Sequence, residues 1–144
     1  MYLFINNFCA HLYVDKLVVE LHGVELDAAL PARPVVCVLQ VGATQLQTPP
    51  LRPGAKWTQC LTTVVPFADA AALSLAISVR QDRTQLGLVA VPLQLLRAGR
   101  TLDGALELLS SVHTSRLFLT VALHKFSVLL FFILCNAEQH KARC

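Results

Sequence analysis

The chain has 144 residues, 55% of them hydrophobic and 15% charged, with a net charge of +3 from 12 Lys and Arg against 9 Asp and Glu. That length suits one domain with a sizeable core, and the composition excludes a disordered polyelectrolyte. The mild basic excess is scattered from Lys16 to Arg143 instead of forming a run or stripe, which argues against nucleic acid as a partner.

The first fifteen residues, MYLFINNFCAHLYVD, are apolar but lack the basic start of a signal peptide. Asn6, Asn7 and His11 also interrupt any continuous apolar core, so residues 1–15 read as an N-terminal arm. From residue 16 the dominant signal is alternation with period two, the mark of a half-buried strand. Leu17, Val19 and Leu21 share one face of the first strand, and Val18, Glu20 and His22 the other. Val35, Cys37, Leu39 and Val41 repeat the pattern after Pro31 and Pro34, and Gly42 ends it. The segment TPPLRPG at 48–54 breaks any ladder, because proline donates no backbone hydrogen bond.

The cleanest alternation is LSLAISV, with Leu73, Leu75, Ile77 and Val79 on one face and Ser74, Ala76 and Ser78 on the other. A polar break follows at 81–85. VPLQLLRA at 91–98 departs from period two and ends at Gly99, which suits a short helical turn with a glycine C-cap. LFLTVAL then restores the strand pattern with Leu117, Leu119, Val121 and Leu123. Short alternating strands between turn signals predict an all-β fold, an antiparallel sandwich of seven or eight strands with one short helix in a late loop. Its expected extent is 16–125, with 126–144 an apolar tail whose run FSVLLFFILC is shorter than a membrane-spanning helix requires.

Five cysteines, odd in number and without a CxxC pair, read as free thiols in a reducing compartment. Cys37 and Cys60, inside apolar segments, are expected to pack as small hydrophobes. The histidines have no metal-ligand spacing, and no GxSxG elbow, glycine-rich phosphate loop or paired-carboxylate motif occurs, so neither an enzyme nor a cofactor is expected.

Five segments in order carry a resemblance: LVVELHGVEL at 17–26, RPVVCVLQV at 33–41, WTQCLTTVV at 57–65, LSLAISVRQDR at 73–83 and LGLVAVPL at 86–93. Their order and spacing resemble C2 domains, with Trp57 and the Leu86–Gly87 pair as anchors. The resemblance implies an antiparallel eight-stranded β-sandwich of C2 type over 16–125. In calcium-binding members, aspartates on two loops at one end supply the oxygen ligands that calcium needs. Here Arg33 stands where the first would be, and Gln81 and Arg83 occupy later acidic positions; only Asp27 and Asp82 remain nearby.

The resemblance therefore implies a calcium-independent binding module acting in protein–protein interaction or scaffolding. Its expected location is the cytoplasm, with membrane or cytoskeletal association. The alternative is a peripheral membrane module that binds anionic phospholipid through Arg33, Arg80 and Arg83, since guanidinium groups suit phosphate.

Overall fold

The computed structural model describes residues 11–66, 73–97, 99–110 and 112–129. The alternating segments form eight strands: β1 (His11–Glu25), β2 (Val36–Val41), β3 (Thr44–Gln47), β4 (Gln59–Pro66), β5 (Ser74–Gln81), β6 (Thr84–Pro92), β7 (Thr101–Leu108) and β8 (Ser115–Leu129). They make two four-stranded antiparallel sheets, in the orders β4-β1-β8-β7 and β3-β2-β5-β6. The all-β sandwich expected from the sequence is the observed fold.

Period two explains the core. Leu17, Val19 and Leu21 of β1 and Leu117, Leu119 and Val121 of β8 are buried, as are Cys37 and Leu39 of β2 and Leu75, Ile77 and Val79 of β5. All of them join one cluster, so the inner faces of the two sheets pack against each other. Each such aliphatic side chain contributes about 1.5–3 kcal/mol on burial. Register shifts between Leu21 and Gly23 in β1 and at Val79/Arg80 in β5 mark irregularities at the same end of the sandwich. The first sends Val24 back into the core after His22; at the second, Leu86 is the extra residue on β6 and is itself buried.

Trp57 is 4% exposed, and its indole N–H donates to the carbonyl of Arg52 at 2.8 Å. Backbone bonds from Gly54 to Val24 and from Trp57 to His22 lay the β3–β4 connection along the end of β1. The proline-rich stretch in that connection makes one isolated bridge, Val35 with Leu51, instead of a ladder.

Two details differ from the sequence reading. The helical turn is a 3-10 helix, Leu93–Leu96, and its C-cap is Arg97; Gly99, with φ of 78°, follows two residues later. Cys60 is exposed, opposite Glu20 on the outer face of its sheet, and of these two thiols Cys37 alone packs as a buried hydrophobe. The β1–β8 ladder extends from Glu25 and Arg116 to His11 and Leu129. Residues 1–10 of the arm and 130–144 of the tail lie outside the described residues.

Candidate functional site

Antiparallel topology puts the β1–β2 connection, the β5–β6 hairpin and the β7–β8 connection at one end of the sandwich. Arg33 lies in the first. Arg80 is near the end of β5, opposite Val36 in β2 and Gln85 in β6. Arg83 is the second residue of the two-residue hairpin loop, after Asp82, whose φ of 56° is a conformation that aspartate tolerates better than most residues. The structure thus brings all three arginines to one tip.

Their surroundings differ. Arg33 Nη1 is 3.0 Å from Asp82 Oδ2, with both side chains more than 60% exposed, so this pair is screened and contributes little. Arg80 and Arg83 are exposed and make no ion pair among the described residues.

Gln81 is the residue that organises this end. It is 4% exposed, and its Nε2 donates to the carbonyls of Pro31 at 2.7 Å and Arg33 at 3.0 Å. One amide group therefore latches the β1–β2 connection to the β5–β6 hairpin. Asp27 ties in the third segment: Oδ1 accepts from the Ala29 N–H at 2.9 Å and Oδ2 from the Thr114 N–H at 2.8 Å. Those two backbone bonds, Ala29 first, hold the Asp27 carboxyl below its ordinary value of 3.8, with a smaller contribution from His113. The Asp27 N–H also donates to Ser115 Oγ at 3.0 Å.

A calcium ion takes six to eight oxygen ligands, several of them carboxylate. At this tip one carboxylate is engaged by two N–H groups, the other faces a guanidinium, and an amide nitrogen stands between the two converging carbonyls. Among the described residues no group of three or more His, Cys, Asp and Glu is placed to hold a metal ion.

Two further polar features have no counterpart in the sequence reading. On the outer face of the first sheet, Thr120 Oγ1 donates to Asp103 Oδ1 at 2.7 Å and lies 2.8 Å from His22 Nε2. Asp103 can only accept while ionised, so the Thr120 proton goes to it and His22 Nε2–H donates to Thr120. Beside this chain, Glu20, His22, Lys56 and Cys60 line an open depression of about 300 Å³. The second feature is Asp15, on the core-facing side of β1 and 5% exposed, whose Oδ2 is buried without a hydrogen-bond partner among the described residues. Period two gives the parity of both features; register, which the sequence does not carry, gives their neighbours.

No family model matches the sequence. No curated protein sequence matches it either. Solved structures do match in shape. The tandem C2-domain structure of Extended-Synaptotagmin 2 superposes with a TM-score of 0.67 at 21% identity, covering 82% of this chain and 42% of that chain. The first C2 domain of plant Extended Synaptotagmin 1 gives 0.57 at 15% identity, over 80% and 95% of the two chains. Human GIVD cytosolic phospholipase A2 gives 0.62 at 13% identity, over 81% of this chain and 17% of that one. The chain spans less than half of the two-domain synaptotagmin structure it matches. With two sheets of four antiparallel strands and these superpositions, the chain has a C2-domain-like β-sandwich fold.

Proposed function

We propose that the chain is a non-enzymatic binding module that engages an acidic protein surface through Arg33, Arg80 and Arg83, without calcium. The observation that carries this reading is the pair Arg80 and Arg83, exposed and without ion pairs among the described residues, on a base that Gln81 latches shut. Loops already fixed lose little freedom on association, and planar guanidinium groups bind carboxylates in a two-bond fork. The acidic residues at the tip are engaged by N–H groups or an arginine, which supports calcium independence. The buried thiol of Cys37 and the lack of a CxxC pair fit a reducing, cytoplasmic setting.

The test is affinity capture with the full chain, in calcium and in chelator, beside the R80E/R83E variant. The expected result is the same acidic partner under both conditions and its loss in the variant. Capture that needs calcium, or that survives charge reversal, would falsify the proposal.

A second reading puts the same arginines on phospholipid headgroups. Basic residues near a membrane surface contribute about 1 kcal/mol each, so three alone give weak attachment. Vesicle binding lost on R80E/R83E while protein capture persists would favour this reading over the first.

A further inference from the structure

The two flanks of the sandwich are finished differently. On one, backbone bonds between Leu88 and Leu109 join β6 to the end of β7, and β7 carries Asp103 and Glu107. On the other, β3 and β4 are the outermost strands. An apolar cleft between them, edged by Leu46 and Leu61, reaches Leu17, Val19 and Leu75 of the core.

An unpaired strand edge is a template for further pairing, and proteins usually blunt it with charge, proline, a bulge or short length. β3 is blunted by its length of four residues. β4 has none of these devices: residues 59–65 include no charge and no proline, and the register with β1 runs unbroken from Gln59 to Pro66. Thr62, Thr63, Val64 and Val65 are all β-branched, a composition that favours a paired strand. Cys60, Thr62 and Val64 are exposed on the outer face, Val64 by 54%.

The neighbouring strand indicates what fits this edge. On β1, Lys16 stands opposite Val64 and Glu20 opposite Cys60, and all four residues are exposed. A second copy, related by a twofold axis through Thr62 perpendicular to the sheet, adds its own β4 in antiparallel fashion. Thr62 then meets itself, Cys60 meets Val64, and Leu61 meets Thr63. Each opposed pair lies on one face, as antiparallel pairing requires.

The row across this joint reads Lys16, Val64, Cys60, Glu20, the last two from the second copy, and the twofold repeats it in reverse. Lysine and glutamate stand three strand spacings apart, about 14 Å between backbones, and both side chains can reach inward over the smaller pair. Moving the axis to Thr63 keeps the faces matched but puts Lys16 in a row with Val18, so charge selects Thr62. The edge itself is neutral, and the two lysines and two glutamates beside it balance.

We propose that β4 is a dimerisation edge, at which two copies of the chain pair β4 with β4 about Thr62 and join two four-stranded sheets into one. The antiparallel arrangement turns the two arginine tips in opposite directions, so a dimer bridges two sites where one chain occupies one. The pairing does not depend on what the tips bind.

The test is sedimentation equilibrium of the full chain, which should show a concentration-dependent monomer–dimer equilibrium. Thr62→Lys, at an exposed position, puts two ammonium groups on the axis and should weaken dimerisation by about tenfold or more. Thr62→Glu should do the same, and a mixture of T62K with T62E should dimerise again. K16E should weaken the dimer by about fivefold and K16E/E20K should recover it; these variants lie outside β4 and keep the test open if those at Thr62 do not fold. Under mild oxidation, Val64→Cys should link the new thiol to Cys60 of the other copy, as peptide mapping would show, and Cys60→Ser should abolish the link. A chain that stays monomeric at about 1 mM overturns the proposal. So does a dimer that T62K, T62E and K16E leave intact, or a mixture of T62K with T62E that stays monomeric. A monomer that instead takes up an extended segment of another protein along β4 would also overturn it.

Discussion

A methyl group added to Gly87 would stand 2.5 Å from Cβ of Leu108, closer than carbon atoms can approach. Gly87 is opposite Val79 in the β5–β6 ladder, next to the buried extra residue Leu86, and Leu108 ends β7. The two lie in different sheets, so the missing side chain lets β6 and β7 close one flank of the sandwich. Backbone bonds between Leu88 and Leu109 seal the same flank.

Gly87→Ala should therefore destabilise the fold by about 1–3 kcal/mol, the usual cost of overpacking. Leu108→Ala should not rescue it, because the nearest atom is a Cβ that alanine retains. Urea unfolding of the two single variants and the double variant checks both statements.

Gln81→Leu should cost about 1–3 kcal/mol, because it deletes two hydrogen bonds and leaves the carbonyls of Pro31 and Arg33 without their donor. Gln81→Glu should be worse at neutral pH, since a carboxylate would face two carbonyl oxygens. Folding would hold that glutamate protonated, raising its folded pKa above the unfolded value. The variant should thus regain stability on acidification, and denaturation midpoints at two pH values would show it.

Asp27 should titrate below 3.8 in the folded chain, held down by the N–H groups of Ala29 and Thr114. A depressed carboxyl stabilises the fold above its unfolded pKa, and that contribution is lost as pH falls through the folded value. Carbon-detected NMR titration should place the midpoint below 3.8, and Asp27→Asn should remove the acid dependence of Thr114 amide exchange.

Burial pushes the Cys37 thiol up to about 12, so it stays protonated and unreactive in the folded state. Alkylation at neutral pH followed by peptide mapping should find Cys60 modified and Cys37 intact. Added denaturant should expose Cys37. Modification of Cys37 before Cys60 would contradict the assigned faces of β2 and β4.

Thr120→Val should sever the chain from His22 to Asp103. Because that chain lies on an outer face, its loss should cost less than about 1 kcal/mol. The Nε2–H tautomer of His22 should lose its preference, a change visible in imidazole nitrogen chemical shifts.

Much of the fold can be read from the sequence because burial in a strand leaves a period of two. Leu75, Ile77 and Val79 announce their face with no knowledge of their neighbours. Expecting Cys60 in the core weighs the composition of its segment above its parity. Counting in twos from Trp57 through Leu61 to Val65, which are buried or half-buried, puts Cys60 on the opposite face. The tip is legible only in part. Resemblance places Arg33, Arg80 and Arg83 together, but in the sequence Gln81 looks like a vacancy left by an acidic residue. Its role depends on carbonyls some fifty positions earlier, and only tertiary structure supplies those partners.

The β1–β8 ladder joins the beginning of the described chain to its end, from Glu25 with Arg116 to His11 with Leu129. During synthesis β1 therefore emerges long before its central partner exists and has only β4 to pair with in the meantime. Closure of the first sheet must await the last strand, and loop closure over such a distance slows folding. A ribosome-stalled chain ending before residue 115 should thus expose β1 and recruit chaperones, whereas release after residue 129 should let the sheet close in one late, cooperative step.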